Sequence, residues 1–384
     1  MSDPDVHGTA RAGFERVADA FRRGFDRRPT MGAAVSVRIE GETVVDLWAG
    51  IADERDGRPW QDDTASVIFS CTKGLMSILV ARLVEDGRLD YDAPVSRYWP
   101  EFAAAGKKGV TVAELVSHRA GLSALRQPLA LDDLLVWGTV PRLLAAEEPL
   151  WEPGTGYSYH ALTHGWLTGE LVRRITGEQP GAAFARLMRP WASDVWIGVP
   201  QSEEHRVAHL QLSESQRAAA RASEAEPVRW NLLASTLGGA LPAELATPDG
   251  GFNDPRVHAA QLPGAGGIAT ARALASIWSA TVTPTDGVRL LSDDTLDAAL
   301  VPMSSGEPVF PTPGPWPVWA RGFMVRTAAD TLLGPRSFGH DGAGGQLGFA
   351  DRDAAVGFGY VTNWMEAGDR RSADIVDALR TALA

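Results

Sequence analysis

The chain opens with apolar residues at helical spacing and continues with apolar residues that alternate with polar ones. Four apolar side chains lie three or four positions apart near the start: Phe14, Val17, Phe21 and Phe25. This spacing lines one face of an amphipathic helix. Residues 32–50, GAAVSVRIEGETVVDLWAG, alternate with a period of two instead, which predicts two strands joined by a tight turn at residues 40–42.

Helical patterns dominate the middle of the chain, and strand patterns return near its end. The strongest helix prediction runs from Ser70 or Cys71 to Gly87. Further helices are predicted at residues 111–122, 131–146, 159–177, 270–281 and 372–384, and strands within residues 319–327, 337–351 and 354–364. Because strands cluster at both ends, we expect an α/β (α+β) fold: an antiparallel sheet built from both termini, flanked by helices, with a mostly helical inserted domain.

The length of 384 residues suits one large or two closely joined domains, and 45% apolar residues can build a sizeable core. We expect residues 1–72 plus 268–384 to form the α/β sheet domain and residues 73–267 to form the helical domain. The active site is then expected at their junction.

Composition also excludes several classes of protein. No run approaches the ~18 apolar residues of a membrane span, and the polar start does not resemble a secretory leader. The single cysteine, Cys71, cannot form an internal disulfide, which fits the cytoplasm, and a buried packing role is expected for it rather than a nucleophilic one. A net charge of −12 without a basic stripe argues against nucleic-acid binding and favours a small neutral or cationic substrate.

Ser70 and Lys73 form a single Ser-x-x-Lys motif in a chain that has only three lysines. Three residues are about one helical turn, so both side chains are expected on one face of the helix that begins here. A serine becomes a good nucleophile when a base removes its proton, and a lysine can be that base once burial or a nearby cation lowers its pKa. The alternative is a helix-capping serine with an unrelated lysine nearby.

A third proton-handling group is expected from residues 151–170, where a Pro-Gly turn delivers a tyrosine to the start of a helix. Tyr159 is the candidate, and Tyr157 is its rival. A phenol whose pKa is lowered by the neighbouring lysine can move a proton between the serine and the leaving group. A packing tyrosine with a satisfied hydroxyl is the alternative.

Glycines are frequent in FGHDGAGGQLGFAD, residues 338–351, and fit a strand whose backbone approaches a ligand closely. A backbone N–H of this segment, together with that of Ser70, is expected to form an oxyanion hole. The glycine order does not match the G-x-G-x-x-G pattern of a dinucleotide-binding loop, so that interpretation is rejected.

Four segments together resemble the serine β-lactamase and penicillin-binding-protein superfamily: SCTKG, SHRAGL, PGTGYSYHALTHGWLTGE and GHDGAGGQLGFAD. The likeness is to its class C-like branch, which contains the family VIII carboxylesterases, and runs from about Gly32 to the C-terminus. It implies a β-lactamase-like fold and an acyl-enzyme intermediate. We expect neither a metal nor a cofactor.

The resemblance implies three catalytic residues: Ser70 as the nucleophile, Lys73 as its base partner, and Tyr159 as the tyrosine of the family's Tyr-x-Asn motif. The third position of that motif is Ala161, so the side-chain amide that would hold a β-lactam or a peptide amide is missing. This loss disfavours a β-lactamase or a D-amino peptidase and is compatible with the esterase branch.

The family's Lys-Thr-Gly strand falls on residues 340–342, and its second oxyanion N–H falls on Ala343. His340 replaces the lysine, so a permanently cationic partner for a substrate carboxylate is lost, because a histidine is only partly charged near neutral pH. We expect His340 and Gly342 to bind substrate. Asp341 stands where threonine is usual, and its role is open.

Other residues near these motifs are candidates for the pocket or for competing chemistry. His160 is expected to line the pocket, and Trp364 to shape an apolar acyl site. His205 and His209 have zinc-like spacing but lack the His-Glu-x-x-His order, so we interpret them as part of a polar surface helix. Residues 156–160, GYSYH, miss the final glycine of the G-x-S-x-G elbow, which argues against an α/β-hydrolase.

The predicted function is hydrolysis of small-molecule carboxylic esters with short or compact acyl groups, through an acyl-enzyme on Ser70. The nearest alternative is an acyltransferase that passes the acyl group to an alcohol or amine of a natural product. A non-catalytic sensor that stays acylated is a third class, and the presence of Ser70, Lys73 and Tyr159 together argues against it.

Overall fold

The computed structural model describes residues 5–188, 194–225, 229–325 and 332–384. Its helices are α1 (Glu15–Arg23), α2 (Cys71–Glu85), α3 (Val112–Val116), α4 (Leu131–Leu135), α5 (Thr139–Ala146), α6 (Thr163–Thr176), α7 (Pro180–Met188), α8 (Glu214–Ala225), α9 (Arg229–Thr236), α10 (Pro255–Ala259), α11 (Ala271–Val282), α12 (Asp293–Ala299) and α13 (Arg371–Ala382). Its strands are β1 (His7–Ala10), β2 (Gly32–Ile39), β3 (Glu42–Asp53), β4 (Arg58–Pro59), β5 (Ser66–Phe69), β6 (Val195–Ile197), β7 (Gln211–Leu212), β8 (Ala246–Thr247), β9 (Gly250–Gly251), β10 (Gly267–Ala269), β11 (Val318–Trp319), β12 (Met324–Val325), β13 (Ser337–Asp341), β14 (Leu347–Asp351), β15 (Val356–Thr362) and β16 (Trp364–Met365).

The main sheet joins the two ends of the chain. Within the described residues its strands run antiparallel in the order β1-β3-β2-β15-β14-β13-β12-β11, and β4 pairs with β3. The two halves meet where β2 pairs with β15, with Val35 opposite Tyr360 and Val37 opposite Phe358. The predicted antiparallel sheet from both termini is therefore confirmed. The domain boundaries near residues 72 and 268 stay a prediction.

Helices cover both faces of this sheet. α1 and α13 lie on one face, where apolar side chains of helices and strands form one cluster that includes Phe21, Phe349, Phe358 and Ile375. α11 packs on the other face against β15. Two glycines allow this close packing, since a Cβ on Gly357 would lie 2.3 Å from the backbone nitrogen of Ser279, and a Cβ on Gly359 would collide in the same way. Period-two alternation thus places glycines under α11 and aromatic residues under α1 and α13.

A smaller sheet, with the strand order β5-β10-β6, leads directly into α2. Almost every side chain of α2 is buried, including Cys71, as predicted. The helix packs against α6, α12 and β13, so its N-terminus is held in the interior. α2 is therefore a central helix of the core and not a surface helix, and the residues at its N-terminus lie in the protein interior.

Several predicted elements differ from the observed ones. The helix predicted over residues 131–146 is split into α4 and α5, because Gly138 adopts a φ of 117°. The helix predicted from residue 159 begins at Thr163, and the strand predicted at residues 319–327 is reduced to β11 and β12, with residues 326 and 327 outside the described part.

The surface helix predicted around His205 and His209 is wrong. His205 lies in a single turn of 3-10 helix at Glu204–Arg206, and His209 is buried with Nε2 2.8 Å from the carbonyl oxygen of Pro248. Across the described ranges, no helix is both long and apolar enough to cross a membrane.

Candidate active site

The turn between β5 and α2 fixes the position of Ser70. Phe69 adopts a φ of 44°, in the left-handed region that is unfavourable for a residue other than glycine. Thr72 holds this turn, because its hydroxyl donates to the Phe69 carbonyl at 2.5 Å and accepts from the Gly267 N–H at 2.9 Å. Ser70 therefore lies on a strained bend that is tied to the neighbouring strand β10.

Ser70 occupies the N-cap position of α2, yet its side chain makes no capping hydrogen bond. Ser292, at the same position of α12, does cap its helix by accepting from the Thr295 N–H at 3.2 Å. The Ser70 hydroxyl oxygen instead lies 3.0 Å from Lys73 Nζ. The geometry thus argues against the helix-capping alternative.

Lys73 is completely buried, and this burial lowers the pKa of its amine to about 7, against an opposing effect of the Asp341 carboxylate. Nζ has three oxygen neighbours: the carbonyls of Ala161 at 2.6 Å and Gly264 at 2.7 Å, and the hydroxyl of Ser70 at 3.0 Å. A neutral amine has two N–H donors and one lone pair. When the two carbonyls accept both donors, the lone pair is left for the serine hydroxyl and can accept its proton.

The Gly264 carbonyl reaches Lys73 because two glycine backbones touch. Gly165 lies in the first turn of α6, and a Cβ on it would lie 2.0 Å from the Gly264 nitrogen and 2.6 Å from its Cα. Real Cβ atoms do not approach backbone atoms this closely, so only glycine allows α6 and the loop at residue 264 to meet. One acceptor for the lysine therefore depends on a buried residue that lies outside the cavity wall.

We expect Gly165→Ala to lower both the unfolding temperature and kcat, because the added methyl group pushes Gly264 away from Lys73. Overpacking of this kind costs on the order of 1–3 kcal/mol of stability. Thermal unfolding and esterase kinetics measure the two effects. Gly109→Ala is the matched control, since a Cβ there meets no atom within 4 Å. A Gly165→Ala variant with wild-type kcat would contradict the role given to the Gly264 carbonyl.

Tyr159 lies in the loop before α6, beside the nucleophile. Its ring stacks on Trp319 with 5.2 Å between centroids, and Lys73 Nζ lies 4.9 Å from its centroid. Burial raises the pKa of the phenol, and a hydrogen bond with the Ser70 side chain opposes this. The expectation that Lys73 lowers this pKa is therefore wrong, because the low-dielectric surroundings disfavour a phenolate. Tyr159 enters a reaction as a neutral phenol, which is a proton donor.

Three buried histidines lie around the lysine: His118, His160 and His164. Burial lowers the pKa of each, that of His160 to about 4, so they add no positive charge at neutral pH. The Nε2 atom of His160 accepts from the Leu122 N–H at 3.1 Å, and its Nδ1 lies 2.7 Å from the Ser158 carbonyl. His160 is absent from the cavity wall, so its predicted place in the pocket is wrong, and it braces the loop that carries Tyr159 instead.

A cavity of about 360 Å³ opens above the nucleophile. Ser70, Tyr159, Gly342 and Ala343 line it, which brings together residues that the sequence places far apart. Much of the remaining wall is aromatic or proline: Tyr157, Pro308, Trp316, Pro317 and Trp319. The cavity is thus an apolar enclosure with the Ser-Lys-Tyr group at its base.

The turn between β13 and β14 brings Ala343 to the cavity. The N–H groups on either side of it are occupied, since Gly342 donates to the Gln346 carbonyl at 2.7 Å and Gly344 donates to Gln346 Oε1 at 2.9 Å. Neither the Ala343 N–H nor the Ser70 N–H donates to any other described residue. Two backbone donors at one cavity can stabilise an oxyanion.

His340 lies behind the cavity wall, although it was predicted to bind substrate. Its side chain is 1% exposed, its ring centroid is 5.2 Å from that of Trp319, and its Nδ1 lies 2.7 Å from the Asp341 carbonyl. Side chains alternate along a strand, so His340 points inward and Asp341 lines the cavity. The prediction of direct substrate contact by His340 is therefore wrong.

Trp364 lies against a different cavity, beside Thr30, and its Nε1 donates to Glu366 Oε2 at 3.2 Å. Its predicted role in an acyl pocket is wrong, and Trp316 and Trp319 occupy that position. Both belong to residues 307–319, EPVFPTPGPWPVW. This segment is neither helical nor alternating in pattern, so the sequence carried no signal that it covers the site.

We expect kcat/KM for a neutral ester to rise with pH through about 7 and then to level off. Only the neutral form of Lys73 can accept the Ser70 proton, and its amine has a pKa of about 7. Below that pH each unit lowers the neutral fraction, and with it the rate, about tenfold. A pH–rate profile between about pH 5 and 9 measures this, and a flat profile across the acidic half would contradict Lys73 as the base.

Comparisons with known proteins agree with this geometry. Residues 17–382 match the family model described as Beta-lactamase. Esterase/beta-lactamase LipL of Mycobacterium tuberculosis H37Rv is 33% identical, over 93% of this chain and 83% of that protein. A solved family VIII carboxylesterase is 36% identical with a TM-score of 0.87, covering 98% of this chain and 100% of that one. A penicillin-binding-protein homolog from Caulobacter crescentus is 34% identical with a TM-score of 0.86 and the same coverage. This protein is therefore a member of the beta-lactamase family.

Proposed function

We propose that this protein is a serine carboxylesterase that hydrolyses small-molecule esters through an acyl-enzyme on Ser70. The observation that carries the proposal is the 3.0 Å contact between Lys73 Nζ and the Ser70 hydroxyl, at a lysine whose burial favours the neutral amine. The similarity to LipL, which is called an esterase, and to a family VIII carboxylesterase supports the same chemistry.

In acylation, Ser70 Oγ forms a bond to the ester carbonyl carbon while its proton moves to the lone pair of Lys73 Nζ. The N–H groups of Ser70 and Ala343 stabilise the negative charge that develops on the carbonyl oxygen. When the tetrahedral intermediate collapses, the bond to the alkoxy oxygen breaks and Tyr159 donates its phenolic proton to that oxygen. The Lys73 ammonium returns a proton to Tyr159, and the alcohol leaves.

In deacylation, water takes the place of the alcohol. Its oxygen forms a bond to the acyl carbon while its proton moves to the neutral Lys73 amine, with the Tyr159 phenol relaying it by accepting one proton and passing on its own. The bond from the acyl carbon to Ser70 Oγ then breaks, and the Lys73 ammonium protonates the serine oxygen. The carboxylic acid is released, and the starting protonation states are restored.

The substrate side of the site favours esters over β-lactams and peptides. Position 161 contributes only its backbone carbonyl, which binds Lys73, so the third position of the tyrosine motif offers no side-chain amide to a substrate. No lysine stands at position 340, and the histidine there is buried. An ester depends less on such groups, because an alkoxide leaves more readily than the nitrogen anion that an unprotonated amide would have to expel. Both losses disfavour the weaker alternatives, a β-lactamase or a D-amino peptidase.

A second candidate, an acyltransferase, uses the same acyl-enzyme with an organic acceptor in place of water. The aromatic and proline wall of the cavity favours the acyltransferase, because such a wall binds an organic alcohol or amine better than it binds water. The chemistry on Ser70 is identical, so the two proposals differ only in the second step.

Turnover of p-nitrophenyl butyrate, with and without an added alcohol, tests these proposals. The carboxylesterase is supported if p-nitrophenol and butyric acid are released at a rate that depends on Ser70 and does not change when the alcohol is added. Weak release that rises sharply with the alcohol and yields its butyrate ester supports the acyltransferase. A single stoichiometric burst without further turnover would mean a non-catalytic sensor and would contradict both.

We also propose a location in the cytoplasm. Cys71 is a single cysteine, so no internal disulfide is possible, and its buried thiol is compatible with a reducing compartment.

A further inference from the structure

A carboxylate, that of Asp341, stands on the wall of the cavity above Ser70. Asp341 is the last residue of β13, and its side chain is 58% exposed, whereas the preceding His340 is 1% exposed. Among the described residues that line the cavity, no other carries a charged side chain. The substrate space therefore has a net negative wall.

Among the described residues, no lysine or arginine forms an ion pair with the Asp341 carboxylate. In the described part of the chain its ion-pair contact is with His340, whose Nδ1 lies 3.3 Å from Oδ1 and closer, at 2.7 Å, to the Asp341 backbone carbonyl. The backbone carbonyl is thus the main acceptor for that ring nitrogen. The charge also reaches the reaction centre, since Asp341 favours the ammonium form of Lys73.

Aromatic side chains share the cavity with Asp341 and provide a second kind of contact for a cation. Tyr157, Trp316 and Trp319 line the same cavity as Asp341. Tyr157 and Trp319 are buried, and Trp319 stacks on Tyr159. The half-buried Trp316 is therefore the ring most open to a ligand. A cation is attracted to the face of an aromatic ring within about 6 Å of its centroid, and a quaternary ammonium needs no hydrogen-bond acceptor. An anionic substrate meets the opposite conditions, because its carboxylate is repelled by that of Asp341.

We infer that this cavity selects esters whose acyl or alcohol part carries an ammonium group, and that Asp341 is the residue that selects them. The inference rests on the proposed esterase function and names the substrate class of that same site.

Two pairs of esters with nearly identical shape test the inference. On the acyl side, p-nitrophenyl 4-(trimethylammonio)butyrate is compared with p-nitrophenyl 5,5-dimethylhexanoate, in which a carbon replaces the charged nitrogen. On the alcohol side, acetylcholine, the acetate ester of choline, is compared with 3,3-dimethylbutyl acetate. The ratio of kcat/KM for the charged ester to that for the neutral ester is the readout, so effects on the chemical step cancel.

We expect the wild-type protein to prefer the charged ester by about tenfold in at least one pair. Asp341→Asn and Asp341→Thr should both bring that ratio to within about twofold of unity. Added salt should lower the wild-type ratio and leave the variants' ratios unchanged. Asp249→Asn is the matched control, since Asp249 is 93% exposed and lies outside the cavity, and it should keep the wild-type ratio.

The possible outcomes separate this inference from the proposed function. Loss of the preference in both Asp341 variants, but not in Asp249→Asn, supports the inference, and the responding pair shows whether the cation belongs to the acyl or the alcohol part. Ser70-dependent hydrolysis without preference in either pair, or a preference that survives in both Asp341 variants, overturns it and leaves the esterase proposal standing. If the wild-type protein hydrolyses none of the four esters, the esterase proposal itself fails.

Discussion

We expect the Ser70→Ala variant to lose at least about a thousandfold in kcat/KM for p-nitrophenyl butyrate. Alanine provides no nucleophile, and the backbone N–H groups of residues 70 and 343 can polarise the ester but cannot form an acyl-enzyme. The unfolding temperature should stay within a few degrees of the wild-type value, because the Ser70 side chain makes no capping hydrogen bond. Initial rates corrected for spontaneous hydrolysis measure kcat/KM, and thermal unfolding measures the unfolding temperature.

Ser292→Ala is the matched control for this variant. Ser292 also stands at a helix N-cap, but its hydroxyl accepts from the Thr295 N–H at 3.2 Å and lies outside the cavity. Its loss should cost about 1 kcal/mol of stability and leave kcat/KM unchanged. Ser70→Ala should thus lose activity and keep its stability, whereas Ser292→Ala should lose stability and keep its activity. If Ser70→Ala kept a tenth or more of the wild-type activity, Ser70 would not be the nucleophile.

The Tyr159→Phe variant should lose about 10²- to 10⁴-fold in kcat, the usual effect of removing a general acid. Phenylalanine keeps the ring that stacks on Trp319 at 5.2 Å, so KM should change much less. The loss in kcat/KM, which reports acylation, should be smaller for esters with a good leaving group such as p-nitrophenol than for alkyl esters, because a stable leaving group needs less protonation. Steady-state kinetics with both kinds of ester measure this difference.

Tyr157→Phe is the control for the tyrosine assignment. The Tyr157 hydroxyl donates to the Gly306 carbonyl at 2.6 Å, so it holds the segment above the cavity and is not free to transfer a proton. We expect this variant to change kcat by less than about tenfold, without dependence on the leaving group. If Tyr157→Phe showed the large loss and Tyr159→Phe the small one, the roles given to the two residues would be exchanged.

Much of the fold could be predicted because its elements have local patterns. The alternation in residues 32–50 predicts the β2–β3 hairpin, and strands at both ends of the chain predict one sheet, as the pairing of Val37 with Phe358 confirms. The split between α4 and α5 could not be predicted in the same way. An apolar periodicity continues through Gly138, and that spacing does not show that the glycine adopts a φ of 117°, which no helix allows.

The contact between Ser70 and Lys73 follows from sequence spacing, because three residues along a helix bring two side chains together. The two other partners of Lys73 do not follow from it. Ala161 and Gly264 lie 88 and 191 positions further along the chain, and their carbonyls meet the lysine only through the packing of α6 and its neighbouring loop. The sequence thus predicts the nucleophile and its base. It does not predict the two carbonyls that accept the N–H groups of the lysine and leave its lone pair for the serine.

The remaining errors at the site arise from burial. His340 was expected in the pocket because its position in the motif usually holds a lysine, yet the strand turns its side chain inward. The pKa of Tyr159 was expected to fall beside a lysine, but the same burial that makes Lys73 neutral also disfavours the phenolate. Motif position predicts which residues meet, whereas burial decides the charge that each of them carries.

The most direct test of an acyl-enzyme on Ser70 is covalent labelling with a p-nitrophenyl phosphonate ester. The serine displaces p-nitrophenol from phosphorus and leaves a phosphonyl group that water removes only slowly. Intact mass and peptide mapping should show one phosphonyl group per chain, on Ser70 and not on the adjacent Cys71, with complete loss of esterase activity and no label in Ser70→Ala. Complete inactivation with the label on any other residue would contradict the mechanism.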